Sequence, residues 1–258
     1  MNPHLVVCIK AVVVRAPKGR IVRTADNVSL NPFDLPAIEA ALQLRARIGG
    51  SVTALSMGPP SSRIVLGEAL AMGVDRAVLV CDPSLAGADT LATSTTLAAA
   101  VQKLAPFDLV LFGARSSDSD TGQVGPQTAV ALDLALVTGV QSIELCDHGL
   151  RVERTQDDRI ETFDVDFPAA LTIRPEAARP RDIALDGLAR AFDRQEVERL
   201  TAADLGLPPE RVGEAGSPTR VLAMQPVTHE RRCRFLKGTA AEVADQLMDH
   251  LMAEGLVD

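Results

Sequence analysis

A chain of 258 residues, 47% of them hydrophobic and 23% charged, carries too much apolar content for disorder and is long enough for one large domain, or one domain with an appendage. A net charge of −8, with seven Phe as the only aromatic residues, lacks the basic footprint and stacking platforms of a nucleic-acid binder. No uncharged apolar run reaches the roughly 18 residues that crossing a bilayer takes, so no transmembrane segment is expected.

In chain order, Leu5 to Ile9 is a short Val- and Ile-rich run closed by Lys10, and it reads as a buried strand. A basic irregular segment covers 15–23. Asn31-Pro32-Phe33-Asp34 then turns into a helix that Gly49-Gly50 stops. Ser51–Met57 is a second strand, broken by Gly58-Pro59-Pro60, and the helix after it ends at Gly73. Arg76–Cys81 is a third strand. Asp89 caps an alanine-rich helix over 90–104, and Asp108–Phe112 is a fourth strand ending at Gly113. A polar loop leads to a helix over about 123–134. This alternation predicts an α/β fold with an open, mostly parallel sheet built from βαβ units. The rhythm then changes. Residues 137–145, 150–154, 160–165 and 169–173 are strand-like and separated by short polar turns, which predicts hairpins extending the sheet antiparallel. Residues 175–199 are charged and Pro/Ala-rich, as in an exposed arm. Thr239 and Glu242 form a capping box for an amphipathic terminal helix, which can fold back on its own domain or lie on a partner.

The four cysteines, Cys8, Cys81, Cys146 and Cys233, form no Cys-x-x-Cys pair and no zinc-ligand spacing. Cys8 and Cys81 lie in apolar runs and are expected to be buried. The N-terminus MNPHLVVCIK has no basic signal region, and a cytoplasmic location is expected.

The chemistry concentrates in GARSSDSDTGQVGPQ, residues 113–127, between a predicted strand and helix. Ligands of open α/β sheets bind outside the carboxyl ends of the strands, where helix N-termini offer free N–H groups to an anion. Gly122 and Gly125 let backbone approach a phosphate, and Thr121 and Gln123 can donate to its oxygens. Asp118 and Asp120 suit ribose hydroxyls, or hold the loop. The same residues also fit an ordinary polar loop before a helix. Cys8-Ile9-Lys10, Met57-Gly58 and Cys81-Asp82 end strands on the same side, and Gly87 to Thr93 offers a second helix N-terminus. No Gly-x-Gly-x-x-Gly, Gly-x-Ser-x-Gly or His-Glu-x-x-His occurs, and none of the four histidines stands in a catalytic setting. A nucleotide-binding fold without an acid/base set points to a carrier or a binding module rather than a hydrolase.

Six stretches, Val6–Lys10, Asn31–Asp34, Ala54–Pro59, Ala69–Arg76, Gly87–Thr93 and Asp118–Pro126, stand in an order that resembles the beta subunit of electron transfer flavoproteins, FixA-type members included. The resemblance implies a Rossmann-like fold of the adenine nucleotide alpha hydrolase type with a C-terminal arm. It implies a heterodimer with an alpha subunit whose FAD takes electrons from acyl-CoA dehydrogenase-type donors and passes them to a quinone reductase-type acceptor. It places an adenine nucleotide on Cys8, Lys10, Asn31, Pro32, Phe33, Asp34, Met57, Gly58, Gly113, Arg115, Asp118, Asp120, Thr121, Gly122, Gln123 and Val124. The motif carrying Asp89, Thr90 and Thr93, with the 118–125 loop, looks more like the branch that holds a second FAD here and bifurcates electrons from NADH; AMP is the alternative occupant. On this likeness residues 1–200 form the nucleotide domain, with a docking loop near 176–193 whose Leu185 inserts into a dehydrogenase, and 201–258 form an arm on the alpha subunit. Two departures stand out: the family's lysine-rich stretch after Leu185 is absent, and Ser119 stands where a turn glycine is usual. A stand-alone adenine-nucleotide regulatory module is the competing reading.

Overall fold

The computed structural model describes residues 2–15, 23–146, 149–194, 197–223 and 233–257. Its elements, in order, are β1 His4–Cys8, β2 Ala11–Val13, β3 Val28–Leu30, α1 Leu35–Ile48, β4 Ser51–Met57, α2 Arg63–Met72, β5 Arg76–Val80, α3 Thr90–Lys103, β6 Leu109–Gly113, α4 Val124–Ala131, β7 Ala135–Leu145, β8 Gly149–Gln156, β9 Arg159–Asp166, β10 Ala169–Ile173, α5 Leu185–Arg194, β11 Val197–Leu200 and α6 Ala240–Ala253. Two units divide the chain, Met1–Met224 and Gln225–Asp258.

The first unit is a nine-stranded sheet in the order β11-β5-β4-β1-β6-β10-β7-β8-β9. From β11 to β7 neighbouring strands are parallel; β8 and β9 extend the sheet antiparallel. Leu5, Val6 and Val7 are wholly buried because helices cover both faces of the central strands. Side chains of α1 and α2 join one core face, and those of α3 and α4 the other. After β1 the chain winds outward through β4 to β5, then returns to lay β6 on the opposite side of β1. The strand order therefore reverses between β1 and β6, and the carboxyl ends of these two strands flank the switch point.

The four parallel strands and the three helices between them match the expected βαβ units. The turn at Asp157-Asp158 is also as expected, with both residues at positive φ (48° and 59°). Three segments differ. β10 does not close a hairpin; it inserts parallel between β6 and β7. All five of its residues are buried, which suits an interior strand with no solvent face. Residues 175–199 are largely exposed as expected but are not an irregular arm: they hold α5 and then β11, which pairs with β5 along the edge, where Arg76 and Glu198 pair across the two strands. The segment is poor in large apolar residues because an edge strand needs few; Leu200 alone of β11 is buried. The polypeptide after β11 also stays on the sheet, where Ala202 and Val212 join the α3–α4 core. Most of the basic segment over 15–23, and His148, lie outside the described residues.

In the second unit α6 carries the expected capping box: the Thr239 hydroxyl accepts from Glu242 N–H (3.4 Å) and the Glu242 carboxylate accepts from Thr239 N–H (2.8 Å). Leu247, Met248 and Met252 leave its apolar stripe exposed. Cys8 and Cys81 are buried, and Cys146 and Cys233 exposed. Among the described residues no helix is long and apolar enough to cross a membrane, and no three His, Cys, Asp or Glu side chains gather as a metal site.

Candidate functional site

The switch point gathers the first group of expected residues. Cys8 ends β1, Lys10 follows it, Asn31–Asp34 bridge β3 to α1, and Gly113 ends β6 beside them. Asp34 is the hub. Its carboxylate accepts from Lys10 N–H (2.7 Å), from Asn31 Nδ2 (2.8 Å) and from the Gly113 main chain. Burial pushes its carboxyl up to about 7, against the pull of these donors and of the Lys10 charge. Burial, with the Asp34 charge second, pushes the Cys8 thiol up as well, so Cys8 is an inert wall of the site. Gly113 is required by close approach: a Cβ there would stand 2.3 Å from Asp34 Oδ1 and 2.5 Å from the Phe33 carbonyl oxygen.

The polar loop is fastened to this hub. Asn31 Nδ2 donates to the Arg115 carbonyl (2.8 Å), and Asn31 Oδ1 accepts from Ser117 N–H (3.2 Å). Lys10 Nζ donates to Asp118 Oδ1 (2.6 Å), Ser119 Oγ (2.9 Å) and Ser116 Oγ (3.2 Å). Partial burial raises the Asp118 carboxyl, but Lys10, Ser116 and Arg23 more than offset that and hold it below the usual range. The Arg115 guanidinium lies 4.4 Å from the Phe33 ring centroid and pairs with Asp120 at 3.2 Å. Each loop carboxylate thus has its own cation, and both serve to hold the loop. Ser119 does not strain it: positive φ falls on Asp120 (51°) and Gly122 (62°), while the Ser119 hydroxyl supports Lys10. The role of Ser116 and Ser119 as partners of Lys10 was not legible in the sequence, because these contacts span more than a hundred residues.

The second group stands at the N-termini of α3 and α4. Thr90 Oγ1 donates to Gln123 Oε1 (3.1 Å), which ties the two helix starts together. Their chemistry differs. The α3 start, offered above as a second anion site, is filled by the protein's own carboxylate: Asp89 accepts from Leu91 and Ala92 N–H (3.0 Å each), and its other oxygen accepts from the Thr219 hydroxyl (2.7 Å). Thr93 belongs to the same first turn, its N–H bonded to the Asp89 carbonyl. At α4, among the described residues, no side chain caps the first turn. Gly122 takes its left-handed φ directly before that turn, and a Cβ there would meet only the Ala114 carbonyl oxygen, at 3.3 Å. Thr121 and Gln123 are exposed and Val124 half-buried beside it. Gly125, by contrast, serves packing rather than a ligand: a Cβ would press on Thr172 and Phe112 at 3.0–3.1 Å. Met57 and Gly58 end β4 farther along the same rim, where Gly58 N–H donates to the Val80 carbonyl.

The residues present can therefore offer main-chain donors to an anion such as a phosphate at the start of α4. Of the two helix starts on this face of the sheet, that of α4 lacks a side-chain cap, as those of α1 and α2 also do, and it follows a left-handed glycine at the mouth of the switch point, with the neighbouring carboxylates paired to cations. A cavity of about 360 Å³ lies elsewhere, lined by Arg45, Arg181 and Arg190. Those arginines already pair with Asp75, Glu39 and Asp186, so they offer no open anion site. His4 is structural, its ring bonded to the Pro106 carbonyl and the Thr53 hydroxyl.

Comparison with known proteins gives the family. A model of the electron transfer flavoprotein domain matches residues 18–205. The electron transfer flavoprotein subunit beta of Thermoanaerobacterium thermosaccharolyticum is 39% identical over 228 residues, 88% of this chain and 87% of the relative. The caffeyl-CoA reductase-Etf complex subunit CarD of Acetobacterium woodii is 37% identical across 98% of this chain and 100% of its own. Protein FixA of Bradyrhizobium diazoefficiens is 36% identical across 95% and 90%. The chain thus belongs to the electron transfer flavoprotein beta subunit family, FixA proteins included, and is an electron-carrier subunit of a flavin-containing complex with an alpha partner.

Proposed function

We propose that the cleft between β1 and β6 holds FAD, its diphosphate at the N-terminus of α4, so that the heterodimer carries this flavin besides that of the alpha subunit. The uncapped first turn of α4 behind Gly122 carries the reading, because the matching turn of α3 is closed by Asp89. Flavin supplies the redox chemistry; the chain supplies binding, orientation and electrostatics. Thr121, Gln123 and the main chain of 121–124 face the phosphates. Asn31 and Asp34 fix the floor through Lys10 and Gly113. Lys10 and Arg115 keep Asp118 and Asp120 from repelling the anion. The Asp-Thr-x-Ala-Thr run at 89–93 supports FAD over AMP, by likeness to the two-flavin branch.

The complex passes electrons from an acyl-CoA dehydrogenase-type donor to a quinone reductase-type acceptor, bifurcating them when NADH is the source. CarD, named for a complex with caffeyl-CoA reductase, supports a CoA-thioester oxidoreductase as partner. Leu185 is the docking residue, and of the expected 201–258 arm the second unit, Gln225–Asp258, is the part that reaches the alpha subunit. Family membership sets aside the stand-alone regulatory module. The test is to denature the purified heterodimer and count nucleotides. FAD in twofold ratio to the dimer, without AMP, is expected. Equal amounts of FAD and AMP would overturn the second flavin, and FAD alone at one per dimer would overturn the cleft as a nucleotide site.

A further inference from the structure

We propose that the Glu39–Arg181 ion pair and the seat of Gly187 on α2 form a brace that holds Leu185 out toward its protein partner, tied to the helix that frames the nucleotide cleft. The inference rests on the docking role proposed for Leu185. The segment around that residue is pinned on both sides. Arg181 Nε and Nη2 donate to the two oxygens of Glu39 at 2.7 and 3.0 Å, and Arg181 N–H adds a bond of 3.3 Å. Glu39 is only 4% exposed and takes another bond from Gln43 Nε2 at 2.9 Å. Ile183 packs on the core face of α1 and α2. Gly187 lies so close to α2 that a Cβ would stand 2.3 Å from the Ala71 carbonyl oxygen. Between these pins Leu185 opens α5 at 86% exposure, and Leu188, one turn on, is 49% exposed.

Other leucines of this chain are as exposed, Leu222 and Leu256 among them; what sets Leu185 apart is that its flanking segment is fixed on both sides. A leucine on a loose loop would lose conformational freedom on docking; one fixed in advance loses little, so the brace raises affinity without touching the partner. The pair also sets the brace on α1, whose start is Asp34, the hub of the cleft. Glu39, Arg181 and Gly187 are positioning residues in this scheme: they act through Leu185, and the partner they serve is an acyl-CoA dehydrogenase-type protein with an apolar recess for that side chain.

The test uses the heterodimer with a purified short-chain acyl-CoA dehydrogenase charged with butyryl-CoA as electron donor. Three variants loosen the brace: E39Q, the volume-matched double change E39M/R181M, and G187A. L185A reports on docking itself. The expected result is a KM for the donor raised about tenfold in all four, with kcat and nucleotide content retained, and faster amide exchange over 181–188 in the brace variants. A raised KM in L185A with wild-type KM in the three brace variants would overturn the brace and leave the docking reading standing. An unchanged KM in L185A would overturn docking, and the brace with it. Loss of kcat or of nucleotide in parallel with KM in the double variant would show a merely structural pair and also overturn the proposal.

Discussion

At the scale of single residues, Asp34 governs the cleft, because three N–H groups from three separate segments converge on one buried carboxyl. Burial lifts its folded-state value to about 7, above the ordinary aspartate value it has in the unfolded chain. The folded state therefore binds the proton more tightly. Stability is fully present below about pH 4 and declines as pH rises toward 7 and the buried carboxyl ionises. D34N is expected to flatten that decline, and to cost about 1–3 kcal/mol because its amide turns a donor toward other donors. Denaturant titrations of both proteins between pH 4 and pH 8 check this; an unaltered slope in the variant would exclude Asp34 as its source. G113A places a methyl against Asp34 and Phe33, and is expected to lower stability by about 1–3 kcal/mol, read as a drop in Tm.

At the scale of elements, the two helix starts make opposite predictions. α3 is closed by Asp89, so D89A should cost about 1 kcal/mol of stability by removing a cap. α4 has no such cap, so Q123D should strengthen the helix by about 1 kcal/mol while placing a carboxylate where the phosphate is proposed to sit. Nucleotide retained after gel filtration of the Q123D heterodimer is the measurement. Normal retention would count against the α4 site. The contrast was half legible in the sequence: Asp89 before an apolar helix reads as a cap, but a Gly-rich loop before α4 reads equally as a turn. The hydroxyls of Ser217 and Thr219, which bond the Asp89 main chain and side chain, come from more than a hundred residues away, and no local pattern signals them.

At the scale of the whole molecule, the chain is built to be one half of something. α6 presents Leu247, Met248 and Met252 to solvent, and Phe235 and Leu256 in the same unit are also exposed. Burying such a stripe on the alpha subunit gains roughly 25 cal/mol per Å². The chain expressed alone is expected to aggregate or to purify without flavin. A version ending at Met224 is expected to keep the folded sheet by circular dichroism but to lose the heterodimer on size exclusion. A truncated chain that still assembles would show that the arm is dispensable. If the second flavin is present, NADH should bleach it under anaerobic conditions; absence of bleaching would leave a plain carrier.

The amino-acid sequence by itself determined the βαβ rhythm of the first half, the capped starts of α3 and α6, and, through six short motifs, the family. These are carried by neighbours in the chain: hydrophobic period, cap residues and glycine stops act over a few positions. Tertiary structure alone decided that β10 slips between β6 and β7, that β11 closes the far edge, that Thr219 locks the Asp89 cap while the start of α4 stays open, and that Arg181 reaches Glu39. Each of these is a contact between segments far apart in sequence, fixed by which buried surfaces and unpaired charges can be satisfied together, and the local pattern at either end is compatible with several partners.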